Sequence, residues 1–479
     1  MVTQVPIPDA DLQPAPILPT KRGLELVMLA FATIVVTMAQ VLVELNQKNE
    51  VTRSLLYYGA AYLALFAVAH VAVRLLAPYA DPLILPCVAL LNGLGLVFIH
   101  RLDLAAKAAA GSVRDPASAG NAPYQIAWTA LAVGLFVAVL VLVRDHRTLA
   151  RYGYTCGLVG LVALALPGLL PGAISEVNGA KIWLRFGGLG IQPGEFAKIL
   201  LLIFVAAFLV TKRDLFTTAG RRVLGMELPR ARDLAPLLMA WGLSLGVLVL
   251  EKDLGSSLLF FGIVLVLIYV ATERIAWLVI GLIFFVGGAM VANMLFAHIQ
   301  DRVTAWLDPF SDYDGAGYQM AQSLFGLGTG GMFGTGLGAG RPDLVPEART
   351  DFITAAIGEE LGFVGLSAVL FTYLLIVMRG MRTALAVRDT FGKLVAAGLS
   401  FAVGLQVFIV VGGVTKLIPL TGLTAPFLSY GGSSLLANYI LVALLLRISH
   451  AARAPAAWSA PRKPATPLAQ AHTEMVQRP

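Results

Sequence analysis

Apolar stretches long enough to cross a bilayer alternate with short connectors along almost the whole chain, and that alternation leaves few folds open. A helix needs about 20 predominantly apolar residues to span hydrocarbon. Such stretches lie at 24–44, 54–77, 82–100, 124–143, 151–171, 193–211, 234–250, 254–271, 275–297, 354–378, 392–413 and 426–447. They predict an all-α polytopic membrane protein of about twelve transmembrane helices. Composition agrees: 58% of the 479 residues are hydrophobic and 13% are charged, against about 25% charged in soluble domains.

The net charge of +7 does not point to nucleic acid, because the basic residues form no face. They recur in short loops: Arg144, Arg147 and Arg151; then Lys212, Arg213, Arg221, Arg222, Arg230 and Arg232; then Arg379, Arg382, Arg388 and Lys393. With the N-terminus cytoplasmic, every one of these loops falls inside, as the positive-inside rule requires. Span count and orientation therefore support each other, and both termini are expected in the cytoplasm. Residues 1–20 and 451–479 are Pro-rich or Ala/Pro-rich and read as disordered tails. Cys87 and Cys156 both lie within apolar stretches, which argues against a disulfide or a metal site.

The outward-facing segments differ in kind. The heptapeptide Glu251-Lys252-Asp253-Leu254-Gly255-Ser256-Ser257 is wedged between two spans. Charge in hydrocarbon is costly, so it belongs at a water interface or in a protein-lined cavity. Asp253 is placed to cap the span that follows, a role compatible with service as a base. Gln192-Pro193-Gly194-Glu195-Phe196-Ala197-Lys198 opens another span: Pro193 suits a first turn, and Lys198, at i+3, is placed to pair with Glu195. A local ion pair anchoring the helix end and a functional intramembrane cation both fit Lys198.

The loop 298–353 is too long for a plain connection. Its Trp306, Phe310, Tyr313, Tyr318 and Phe325 argue for order, in short amphipathic helices on the outer surface. Gly326–Gly331 formally matches GxGxxG, but no βαβ unit surrounds it. Glycines that let a ligand or another segment approach closely explain it better. Glu347, Arg349 and Asp351 form a charged run ahead of the next span, and Glu359 and Glu360 lie in its first turns. Finally, Pro419–Pro426 and Ser429–Ser434 interrupt the last apolar stretches; irregular backbone at membrane depth requires cover from protein or a water-filled cavity. No Cys/His cluster, HExxH or Walker A pattern occurs.

Taken together, several segments resemble the SEDS family (shape, elongation, division and sporulation), the membrane peptidoglycan polymerases of RodA and FtsW type. They are Trp183-Leu-Arg185 with Gln192–Lys198, Lys252–Ser257, Leu307-Asp-Pro309, Gly317-Tyr-Gln319, Gln322-Ser323, Pro346-Glu347 with Thr350-Asp-Phe352, Glu359–Gly362, and Pro419–Gly422 through Pro426–Ser434. The resemblance implies a catalytic membrane core over 81–450, with 298–353 as its large extracytoplasmic loop. Residues 21–80 would then be two extra N-terminal helices, of a kind associated with actinobacterial members. Gly194 stands where the family often has Ser, Lys252 where it often has Pro, and Val410 where many members have Asn.

The resemblance also implies a reaction: polymerisation of lipid II at the outer face, the 4-hydroxyl of one disaccharide attacking the anomeric carbon of another with inversion. By family position Asp253 would be the general base. Arg185, Lys198 and Arg349 are candidates for phosphate contacts, with Glu195 orienting Lys198. Lys252, Glu347, Asp351, Glu360, Ser429 and Ser433 complete the expected substrate site, and Lys252 is expected to lower the pKa of Asp253. A divalent cation (Mg or Mn) is expected to help the pyrophosphate leave, although the sequence holds no dedicated cage and no organic cofactor is implied. The expected partners are a class B penicillin-binding protein and the elongation machinery, with a division role as the alternative. A lipid flippase or transporter would show similar broken helices and charges; a site near the midplane rather than at span ends would favour it. A non-catalytic scaffold would function without Asp253.

Overall fold

In the computed structural model the described residues are 20–455, apart from 110–119, 178, 187–188, 213–221, 224–225, 228–237, 240–241, 244–245, 248–250 and 316. The helices in chain order are α1 Arg22–Lys48, α2 Arg53–Leu76, α3 Ile84–Ala109, α4 Asn121–Leu142, the short α5 Thr148–Arg151, α6 Gly153–Leu169, α7 Pro193–Thr211, α8 Leu254–Thr272, α9 Ala276–Leu295, α10 Ala297–Leu307, α11 Tyr318–Gly330, α12 Ile353–Ala386, α13 Thr390–Val414 and α14 Gly432–Arg453. Two small hairpins precede α7: β1 Glu176–Val177 pairs with β2 Ala180–Lys181, and β3 Leu184–Phe186 pairs with β4 Leu189–Ile191.

Among the described residues, ten helices are long and apolar enough to cross a membrane, and Gly153–Leu169 is a shorter apolar one. The expected span 234–250 lies largely outside the described residues, as do the tails. The expected amphipathic helices of the long loop are α10 and α11, held by ring contacts such as Phe310–Phe325 at 5.9 Å and by the Trp306 indole donating to the Lys416 carbonyl at 3.0 Å.

Small residues set the helix packing. An added Cβ at Gly153 would meet Ala207 at 2.5 Å, and one at Gly157 would meet the Phe204 ring at 2.7 Å, so α6 and α7 lie backbone to backbone as membrane helices with small-residue faces do. The glycine-rich run serves the same end. A Cβ at Gly330 would lie 2.1 Å from the Gly358 carbonyl. The segment after α11 then runs along a break in α12 at Gly362, whose φ is +68°. There Phe363 and Val364 donate to the carbonyls of Gly331 and Met332 at 2.9 and 3.0 Å. It is another segment of the chain, rather than a ligand, that these glycines admit.

The N-terminal pair α1 and α2 packs on the core, with α1 against α3. At the far end of α1, Asn46 and Gln47 donate to the carbonyls of Leu337 and Gly338 at 2.5 and 2.6 Å. Glu360 braces the same segment: it accepts from Arg101 at 2.8 Å and from the Gly338 amide at 2.9 Å.

The last span begins at Gly432 rather than at 426. Residues 419–431 stay non-helical because their backbone groups are held by neighbours. The Ser429 hydroxyl donates to the Thr350 carbonyl at 2.6 Å and accepts from the Ala425 amide at 2.8 Å, while the Tyr430 amide donates to the Arg349 carbonyl at 2.8 Å. Protein covers the broken backbone, as the hydrocarbon setting demands.

Candidate active site

Helix starts and chain breaks converge at one end of the bundle on a cavity of about 710 Å³. Glu195 reaches it from the first turn of α7, Lys252 and Asp253 from the start of α8, and Arg302 from α10. Glu347 and Asp351 come from the segment before α12, and Thr421–Thr424 with Tyr430–Ser434 from the break before α14. Trp128 of α4 and Trp183, just before β3, add large amphipathic surfaces.

Asp253 is the N-cap of α8, its backbone extended at φ −108° and its side chain accepting from the Ser256 amide at 3.0 Å. The second carboxylate oxygen accepts from the Ser256 hydroxyl at 2.6 Å. The residue is 7% exposed. Burial pushes its acid above the ordinary carboxylate range, against the pull of the Ser256 hydrogen bonds and of Arg302. The expected lowering by Lys252 is not met: desolvation dominates, and the opposing cation is Arg302. Asp351 is half-buried on the same cavity, and burial, then the neighbouring Glu347, push its acid up to about 7.

Glu195 and Lys198 form the anticipated pair at 2.6 Å, in the reverse arrangement to the one expected. Glu195 lines the cavity, whereas Lys198, 3% exposed, sits beneath it. Its ammonium also donates to Gln406 at 2.9 Å and Asn438 at 3.4 Å, which occupies its three donors. Lys198 thus holds Glu195 in place and has no donor left for a phosphate.

Of the other expected residues, Ser433 lines the cavity and accepts from the Gln192 amide at 2.9 Å. Ser429 is buried behind the wall, binding backbone. Arg185 is exposed on β3, opposite Gly190, and Arg349 is half-buried; neither lines the cavity. Glu360 belongs to the Arg101 brace described above. Among the described residues, the cations that do line it are Lys252 and Arg302.

Arg302 was not anticipated. It donates to the carbonyls of Leu420 and Thr421 at 3.2 and 3.1 Å, fixing the chain break while facing the two acids. A signal was available: Arg302 is the sole Lys or Arg between Arg274 and Arg341.

Two non-glycine residues at positive φ line the cavity, Lys252 at +58° and Glu347 at +54°, a conformation that costs on the order of 1 kcal/mol or more each. At Lys252 it also accounts for a departure from the family pattern: proline, locked near φ −65°, does not fit this backbone.

Among the described residues, no three His, Cys, Asp or Glu side chains converge as a metal site. The donor set does not fit a protein-caged divalent ion, and no chemical step here is assigned to one.

A multi-pass helical bundle with an acid-lined cavity at its span ends defines the class. Residues 81–454 match the FTSW_RODA_SPOVE family (Cell cycle protein). Peptidoglycan glycosyltransferase RodA of Mycobacterium tuberculosis is 58% identical over 100% of both chains, and RodA of Mycobacterium leprae is 55% identical over 97% of both. Among solved structures, a peptidoglycan synthase complex studied for its coordination of polymerization and crosslinking aligns with TM-score 0.59 and 27% identity, covering 78% of this chain and 99% of that one. Thermus thermophilus Rod shape determining protein RodA aligns with TM-score 0.50 and 26% identity, over 78% and 98%. The chain belongs to the FtsW/RodA/SpoVE (SEDS) family.

Proposed function

We propose that this membrane peptidoglycan glycosyltransferase polymerises lipid II in the described cavity, with Asp253 as general base. The observation that carries the assignment is the place of Asp253: a buried carboxylate on the wall of an acid- and cation-lined cavity at the start of a span, in a chain 58% identical from end to end to RodA glycosyltransferases. A base must lie within reach of the attacking hydroxyl and have an affinity for its proton; burial supplies the second without a metal. The acceptor 4-hydroxyl loses its proton to Asp253 as it attacks the anomeric carbon, and the bond to the pyrophosphate breaks with inversion. Arg302 and Lys252 are the cations available to the departing pyrophosphate, with Arg302 suited to fork-like contact.

A divalent cation fits this reading as a substrate-borne ion, since Mg is commonly held by phosphates with one or two carboxylates. The cavity faces outward and both termini lie inside, an orientation supported by the basic loops. The partner we infer is a class B penicillin-binding protein, and the setting cell elongation, supported by the full-length likeness to RodA and by the synthase complex among the structural relatives. The cavity is built from span starts and chain breaks rather than from the midplane, where an alternating-access site belongs.

The test is polymerisation of lipid II by the purified full chain, with and without its transpeptidase, comparing wild type with Asp253→Asn and Asp253→Ala. Glycan strands from wild type alone are expected. Equal product from either variant would remove Asp253 as the base, and lipid transfer without product would establish a flippase instead.

A further inference from the structure

The helices α1 and α2 end before residue 81, where the match to the family begins. They bear on the active site through the stretch 331–352, which joins α11 to α12 and brings Glu347 and Asp351 to the cavity. Among the described residues, the regular structure in this stretch is one short turn, Pro342–Leu344. Gly334, Gly336 and Gly338 take φ values of +83°, +100° and +79°. Glycine-rich backbone gives up much freedom when it orders, so such a stretch needs side chains from elsewhere to hold it.

The end of α1 supplies one hold. Asn46 and Gln47 donate to the Leu337 and Gly338 carbonyls at 2.5 and 2.6 Å. The approach is close: a Cβ at Gly338 would lie 3.0 Å from the Asn46 Cβ and 3.2 Å from the Val43 Cα. That helix end is itself fixed. Glu44 accepts from the Thr52 amide and hydroxyl, each at 2.7 Å, which closes the turn into α2, and its carboxylate lies 3.3 Å from the His100 ring of α3. From Gly338 the contacts run on towards the cavity. The Gly338 amide donates to Glu360 at 2.9 Å, Arg101 donates to the Gly340 carbonyl at 2.7 Å, and the Arg341 amide donates to Glu359 at 2.6 Å. Leu102, beside Arg101, then packs with Val345, Ala348 and Phe352 in one buried cluster. Glu347 and Asp351 are the sequence neighbours of Ala348 and Phe352, so what fixes this cluster also fixes the two acids.

We propose that the α1–α2 hairpin is a positioning element for glycosyl transfer: Asn46 and Gln47 hold the strap 337–341 and, through it, set Glu347 and Asp351 in the cavity they share with Asp253 and Arg302. The inference rests on the assignment of that cavity to catalysis. Its rival is a prop that only stabilises the fold, which would cost thermal stability and leave turnover per folded molecule untouched.

The experiment compares the full-length wild type with the double variant Asn46→Ala, Gln47→Ala by amide hydrogen exchange and by lipid II polymerisation. Alanine favours the helix, so the variant removes the two donors and keeps α1. Exchange over 343–352 should rise about tenfold while α14 stays protected. Turnover at saturating lipid II should fall about tenfold per folded molecule, with KM held within about twofold, as expected of displaced site residues. Gly338→Ala, which pushes the strap off α1 from the other side, repeats the test should the double variant misfold. Unchanged exchange over 343–352, or unchanged turnover, would overturn the proposal. Asp253→Asn run alongside separates the two readings: if it stays active the cavity assignment falls and the inference with it, and if it is inactive while the double variant matches wild type the inference alone falls.

Discussion

Asp253 and Asp81 are both buried carboxylates placed just before a span, yet their surroundings are opposite. Asp81, fully buried, accepts from Arg379 at 2.7 Å, from Arg453 at 2.5 Å and from the Leu83 amide at 2.9 Å. Burial would raise its acid, but these bonds outweigh burial and hold it below the usual range. Among the described residues, Asp253 receives hydrogen bonds from its own helix turn, while the cation that pulls on it, Arg302, is tied to backbone carbonyls. A carboxylate enclosed by arginines is spent on structure. One left proton-hungry on a cavity wall remains free for chemistry.

The largest expected effect breaks one side of this comparison. Asp253→Asn keeps a good capping residue, so folding should survive, while lipid II polymerisation falls by about 10² or more, the usual worth of a general base. Asp81→Asn should do the reverse: the midpoint of thermal unfolding drops by an amount equivalent to about 2 kcal/mol, reduced from the fully buried case because both arginines are partly exposed. Activity per folded molecule should stay unchanged.

Next, Arg302→Gln should lower turnover by roughly 10², the scale of one lost electrostatic contact to the transition state, with Arg302→Lys recovering part of it. Normal turnover in both variants would return the cation role to Lys252 alone. A pH titration sharpens the comparison further. Asp351, raised from 3.8 to about 7, binds its proton more tightly when folded, so its contribution to stability falls as pH rises between those values. Asp389, lowered from 3.8 to about 2 by its His146 and Gly392 hydrogen bonds despite burial, contributes stability that is lost as pH falls through that range. Asp351→Asn should flatten the first slope in a melting series and leave the second. Smallest is Lys252→Gly, which should relieve backbone strain of about 1 kcal/mol while weakening substrate binding through the lost charge.

Much of this molecule was legible in the chain itself. Hydrophobic runs are a one-dimensional property, because each span must satisfy its backbone internally and face lipid; the spans at described positions followed, as did the Asp253 cap and the Glu195–Lys198 pair, which are local by spacing. What the tertiary structure decided depends on long-range contact. Arg302 reaches Leu420 and Thr421, more than a hundred positions away, and Glu360, expected from the sequence in the substrate site, is claimed by Arg101. Lys198 and Glu195 exchanged roles because Gln406 and Asn438, on two other helices, took the lysine's remaining donors. Which of two neighbouring charges faces a cavity, and which is consumed behind it, is settled by the packing of segments remote in sequence, and no local pattern encodes that.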